Sequence, residues 1–152
     1  MALLPALAIA LACAAGFFKW QSATIGEARA AGQEAVQAAN DTIVAMLSYT
    51  PDNVDQDLHA AADRLTGTFR DSYLSLINET VIPGSTQKRI SASARVAAAA
   101  PVSAEDERAV VLVFVDQTIT MAADPPTDTA SSVRVTLEKV DGRWLISDFT
   151  PV

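Results

Sequence analysis

Few side chains in this sequence are equipped for acid–base or nucleophilic chemistry. It holds one histidine, His59, and one cysteine, Cys13. Asp55 and Asp63 stand four residues to either side of His59, so a histidine–carboxylate pair can be drawn, in which the imidazole would act as a general base. At helical spacing the same pattern describes a solvated charged face. There is no second histidine, and the cluster lacks the convergent donors of a metal site. Asp116 is the better candidate. A carboxylate that follows Val113-Phe114-Val115 on a strand could be a base with a raised pKa in a pocket. The competing reading is a strand-end carboxylate paired with Arg95, Arg134 or a backbone donor, and Gln117 and Thr118 favour it by showing that the strand has reached polar surroundings. Asp148, beside Phe149, is read in the same way. Asn78-Glu79-Thr80 has the form of a glycosylation sequon and is taken as chance. This inventory yields no catalytic residue, no metal ligand and no cofactor.

The elements that must carry these residues begin with a run that has no charge. Met1 to Phe18 contains no ionisable side chain apart from Cys13. As a helix it would be about 27 Å long, close to the ~30 Å hydrocarbon core of a bilayer. Leu3, Leu4, Leu7, Ile9, Leu11, Phe17 and Phe18 supply its bulk, and Lys19 and Trp20 suit the headgroup zone. A retained membrane anchor over residues 1–20 is the favoured reading. A cleaved signal peptide competes with it, because Ala12-Cys13-Ala14 resembles a small-residue cleavage site. A lipidated Cys13 is a third reading. Against both, no basic segment precedes the run, and Gly16-Phe17-Phe18 stay apolar beyond either site.

The net charge of −7 falls outside that run, on a domain over residues 21–152 of a size to hold one core. An acidic domain without clustered Lys and Arg argues against nucleic acid as a partner. With Cys13 in the apolar run, the domain has no internal disulfide and is stabilised by packing alone.

Periodicity divides the domain in two. Val36, Ala39, Ile43 and Leu47 recur at helical steps within an alanine-rich stretch over 24–48 that continues from the anchor, with Gly26 and Gly32 as weak points. Thr50-Pro51-Asp52 reads as the start of a second helix, with Leu58, Ala61 and Leu65 on one face and Gly67 closing it. Thr68 can cap a third, with Phe69, Tyr73, Leu76 and Ile77 buried, and Pro83-Gly84 ends the helical half. Beyond it the period falls to two. Ile90 to Ala98 alternates as a strand, and Ala109 to Met121 forms a longer one, apolar on both faces as far as Val115 and so expected to be covered on both sides. Residues 122–132, with Pro125-Pro126, read as a loop. Val133 to Glu138 and Arg143 to Phe149 are strands joined by an Asp141-Gly142 hairpin turn. Helices followed by strands imply an α+β domain with an antiparallel sheet wrapped on the helices. Trp144, Tyr49 and Tyr73 are expected to pack in its core.

Several strings, in order, resemble one family: Ala45-Met46-Leu47-Ser48-Tyr49, Asp55-Gln56-Asp57-Leu58, and Leu65-Thr66-Gly67 with Phe69-Arg70 and Tyr73. The sheet adds Phe114-Val115-Asp116-Gln117-Thr118, Arg134-Val135-Thr136-Leu137 and Val140-Asp141-Gly142-Arg143-Trp144-Leu145-Ile146-Ser147-Asp148-Phe149. Over residues 40 to 152 the chain is similar to the Mce-associated membrane proteins of actinobacteria, accessory partners of mammalian-cell-entry (Mce) lipid importers. The family-motif positions are Tyr49, Asp57, Thr66, Gly67, Phe69, Tyr73, Asp116, Gln117, Gly142 and Trp144. The resemblance implies a cone like that of nuclear transport factor 2 and ketosteroid isomerase, with three helices packed on a curved four-stranded antiparallel sheet. It also implies an N-terminus in the cytoplasm and a domain outside the inner membrane. The partners it implies are Mce proteins and their permease, with the bilayer contacted through the N-terminal helix. The family usually carries a longer basic segment before the anchor, and this sequence departs from that.

Three functions fit the residues. The first is a non-catalytic accessory subunit of an Mce-type importer. The second is a lipid-binding domain that uses the concave cavity, where the alanine-rich first strand leaves room for an apolar ligand. The third is a ketosteroid-isomerase-like enzyme with Asp116 as base.

Overall fold

The computed structural model describes residues 3–152, with the side chains of residues 3–11 and 21–24 outside the description. Its first element, α1, is one helix over Leu3–Leu47. It passes through Gly26 and Gly32 without a break, so neither glycine acts as the weak point expected of it. Forty-five residues at 1.5 Å each make it about 68 Å long. Its outer half buries Ala35, Ala39, Ile43 and Met46, and the small side chains at 35 and 39 let the axis lie close to the sheet. The anchor positions Leu3, Leu4, Leu7, Ile9 and Leu11 fall among the undescribed side chains, whereas Phe17, Phe18 and Trp20 are well exposed and in ring contact. Among the described residues, no helix is long and apolar enough to cross a membrane.

Helix α2 spans Val54–Ala62, with Asn53 as its N-cap, and Thr50-Pro51-Asp52 belongs to the approach and turn before it. Helix α3 spans Gly67–Leu76 behind Thr66, so the cap falls two residues before Thr68, and Gly67 opens α3 instead of closing α2. Gly67 takes a φ of +64°, a conformation glycine adopts without a Cβ penalty. Pro83-Gly84 does not end the helical half. A π turn over Ile77–Val81 leads into α4, Ile82–Lys88. Pro83 has no N–H for the Glu79 carbonyl and its ring crowds that turn, so the helix widens to the π pattern and continues. Arg89, at φ +53°, stops it. The third helical body therefore runs from Gly67 to Lys88.

Four strands follow: β1 Ile90–Ala104, β2 Arg108–Met121, β3 Thr127–Val140 and β4 Arg143–Pro151. They form one antiparallel sheet in the order β1-β2-β3-β4. Strand β3 starts six residues earlier than its apolar pattern, because the exposed Thr127–Ser131 and the half-buried Ser132 pair with β2 at Phe114–Ile119. The β3–β4 hairpin turns at Asp141 and Gly142, both with positive φ (+51° and +77°), as a type I′ turn requires. Val111, Val113, Val115, Val133, Val135, Leu137 and Ile146 are buried on the inner face, where α1 and α3 pack on the sheet. The other face of β2 is open: Phe114 is 47% exposed, so the helices cover the sheet on one side only. The expectation of cover on both faces fails here, since apolar residues at 110, 112 and 114 line a solvent-facing surface. In β1 a register shift between Val96 and Ala98 ends the inward series of Ala92, Ala94 and Val96, after which Ala99 faces the core and Ala98 does not.

Candidate functional site

Three of the residues that carry the resemblance, Tyr49, Tyr73 and Gln117, meet where the last turn of α1 joins the rest of the domain. A helix leaves its final four carbonyls without intrahelical partners. Here Tyr73 on α3 donates its hydroxyl hydrogen bond to the Met46 carbonyl at 3.3 Å, and Gln117 on β2 donates from Nε2 to the Leu47 carbonyl at 3.2 Å. Ser48 Oγ accepts from the Ala94 N–H at 3.0 Å, and Tyr49 exchanges both backbone hydrogen bonds with Ala92, at 2.9 and 3.0 Å. The helix end is thus tied to two strands and to α3. Burial, and secondarily the neighbouring Tyr49, push the Tyr73 phenol well above its ordinary range, and burial also raises that of Tyr49. Both phenols stay neutral at any physiological pH.

A second group of motif residues docks the α2–α3 turn on the far edge of the sheet. Leu65 bridges Ile146 on β4, with Thr66 N–H to the Ile146 carbonyl at 2.9 Å and Ile146 N–H to the Arg64 carbonyl at 3.1 Å. Gly67 redirects the chain, and Phe69 stacks on Phe149 with centroids 6.1 Å apart and planes 4° from parallel. Each sheet edge is therefore capped by a single bridge, at Tyr49 on β1 and at Leu65 on β4. Asp57 is exposed in the acidic first turn of α2, where negative charge suits the helix dipole.

Gly142 places Trp144 behind the hairpin turn, 8% exposed and against α1. Its Nε1 donates to Glu34 Oε2 at 3.3 Å, Lys139 Nζ lies 3.5 Å from the same oxygen, and that ammonium sits 5.3 Å from the indole centroid. Glu34 and Lys139 were not singled out by sequence reasoning. The available signal was strand pairing: Lys139 lies opposite Trp144 across the hairpin. Together with the Met46–Leu47 contacts, this holds α1 to the sheet at two levels about 20 Å apart along its axis.

The residues weighed for catalysis are scattered. His59 Nδ1 lies 2.7 Å from Asp55 Oδ1 on the same exposed helix face, while Asp63 pairs with Arg70 at 3.6 Å. Asp116 forms an ion pair with Arg95, its neighbour across the β1–β2 ladder, on the outer face of the sheet. It lines an open polar cleft of about 550 Å³ with Ser93, Gln117, Thr118 and Asp128. Asp148 accepts from Thr150 Oγ1 at 2.8 Å. Among the described residues, no three His, Cys, Asp or Glu side chains converge as a ligand set. Asn78 is exposed on the π turn.

A family model described as "Uncharacterized protein Rv1363c/MT1408-like" matches residues 1–151. Outer membrane protein Rv1973 of Mycobacterium tuberculosis (strain ATCC 25618 / H37Rv) is 57% identical over 150 residues, which is 99% of this chain and 94% of that protein. Uncharacterized protein Rv1362c of the same strain is 47% identical over 123 residues, 80% of this chain and 56% of that protein. Among solved structures, a periplasmic fragment of TraM superposes with a TM-score of 0.66 at 10% identity, covering 78% of this chain and 95% of that one. Agrobacterium tumefaciens VirB8 gives 0.61 at 12% identity, covering 76% and 88%. A nuclear transport factor 2-like protein from Salmonella enterica gives 0.53 at 11%, covering 79% and 91%. The fold is of the nuclear transport factor 2 type.

Proposed function

We propose a function on this premise: the chain belongs to the Rv1363c/MT1408-like family. It acts as a membrane-anchored, non-catalytic accessory subunit that binds and stabilises an Mce-type lipid importer. The relative named an outer membrane protein supports a place in the cell envelope. A helical anchor suits the plasma membrane, since closed barrels are the spanning form of bacterial outer membranes. The topology that follows has residues 1–20 in that membrane, the N-terminus in the cytoplasm, and residues 21–152 outside.

The observation that carries this reading is the attachment of α1. A single helix runs from the uncharged segment into the core, held by Glu34 at one level and by Tyr73 and Gln117 at its end. A domain mounted in this way keeps a fixed height and orientation over the membrane, as suits a protein that props a neighbouring complex. The candidate bases support the same reading. His59 faces the Asp55 carboxylate and Asp116 its ion-pair partner Arg95, both at the surface, and neither faces an enclosed cavity. Replacing residues 1–18 with a cleavable export signal tests the proposal. The freed domain should be secreted and folded, yet lipid uptake should fall to the level of a deletion strain, because the shared bilayer no longer keeps domain and importer at high local concentration. Normal uptake by the freed domain would refute it.

A further inference from the structure

Where α1 passes over the last third of β1, Gly32 packs close to Pro101 and Ala104 and the two elements part beside it. They leave an apolar groove of about 620 Å³, lined by Ala28, Gly32, Val36, Ala99, Pro101 and Val102. The sequence explains the gap. Alanines at 97–100 present nothing larger than a methyl group, and the register shifts after Val96 and after Pro101 turn the edge strand aside. Gly32 forms the floor, and a Cβ there would lie 3.5 Å from Ala104 Cβ and 3.6 Å from Pro101 Cβ. Val102 is 62% exposed at the rim, and Ile25, 55% exposed, continues the apolar track along α1 toward Phe17, Phe18 and Trp20.

We propose that this groove holds an acyl chain of an anionic membrane lipid. Three features select that occupant. The lining is mainly small and aliphatic, which suits a hydrocarbon chain that makes no hydrogen bonds. A peptide strand added to the β1 edge is disfavoured, because Pro101 has no N–H and two irregularities interrupt the ladder. Arg29 stands at the mouth, and among the described residues it forms no ion pair, leaving a cation for a headgroup phosphate on an otherwise acidic domain. Ala28 lies about 12 Å beyond Trp20 along the helix axis, so a chain seated there has been drawn up from the bilayer. The inference rests on the anchoring proposed above.

The test reconstitutes the full chain in phosphatidylcholine vesicles containing a phosphatidylglycerol with a photoreactive group near one acyl terminus, and maps the cross-linked peptides by mass spectrometry. Label is expected within residues 28–37 and 99–104. It should fall about tenfold in Gly32→Leu, whose side chain occupies the floor, and in Val102→Glu, which charges the rim without touching the core. Arg29→Gln should lower labelling about fivefold. A phosphatidylcholine probe should label the wild-type groove at that lower level. Label on Phe17–Trp20 reports anchoring separately: groove label without it supports the groove and overturns the anchor. Absence of groove label, or groove label unchanged by both Gly32→Leu and Val102→Glu, overturns the proposal.

Discussion

Replacing Gln117 with leucine keeps the apolar bulk of the side chain and deletes the donor to the Leu47 carbonyl at the end of α1. That carbonyl has no intrahelical partner. An unsatisfied buried acceptor costs about 1–3 kcal/mol, and because both Gln117 and Leu47 are half-buried, water reaches part of the site and the low end, about 1 kcal/mol, applies. Tyr73 is 7% exposed, so Tyr73→Phe orphans the Met46 carbonyl in a drier place, at a cost of about 1–2 kcal/mol. The two carbonyls share one helical turn, so losing either bond frays what the other holds. The double variant should fall short of the sum by about 0.5–1 kcal/mol. Urea unfolding of the full chain in detergent, followed by far-UV circular dichroism, measures all three. At about 3–4 °C per kcal/mol for a chain of this size, each single variant should lose several degrees of Tm. Gln56→Leu on the exposed face of α2 serves as the control and should stay within about 0.5 kcal/mol. Unchanged urea midpoints for both single variants would refute the idea that these two motif positions act by closing the helix end.

The hairpin should be sensitive at two places. Trp144→Ala should cost about 3–5 kcal/mol by cavity formation, and Gly142→Val should destabilise by forcing a β-branched residue to φ +77°, both read as urea midpoints. Stability should also decline in alkali. The buried Tyr73 phenol keeps its proton in the folded state above the pH near 10 at which the unfolded chain releases it, so its contribution is complete below that pH and is lost as pH rises further. Tyr73→Phe should flatten that alkaline slope, and an identical slope would exclude Tyr73 as its source. Asp116→Asn and His59→Ala, assayed for lipid uptake in cells, should leave it near normal. A general base contributes typically 10²- to 10⁴-fold, so a collapse of uptake for Asp116→Asn with fold and membrane level intact would favour an enzyme or ligand-pocket reading.

The α+β order, the helical stripe of α1 and the type I′ hairpin were legible because each rests on a local pattern with one physical solution. Other features depend on tertiary context. The alanine run over 97–100 reads the same in either register, so its irregularity after Val96 and the groove it helps form left no trace in the periodicity. Thr127–Ser132 look like a loop because every side chain but that of Ala130 is polar, and only pairing with β2 makes them strand. Pro83 reads as a terminator, yet the widened turn before it lets the helix continue. Gln117 reads as a sign of polar surroundings, although it continues the inward phase of Val111, Val113 and Val115. That phase was the available clue that its amide faces the helix end.

The central claim is physical association with a lipid importer. It is tested most directly by purifying a tagged copy of the full chain from its native membrane in mild detergent and quantifying the proteins that accompany it. Mce proteins and their permease should co-purify, an association retained in Asp116→Asn and lost when residues 1–18 are replaced by a cleavable export signal. Purification of the anchored, folded chain without any importer subunit would contradict it.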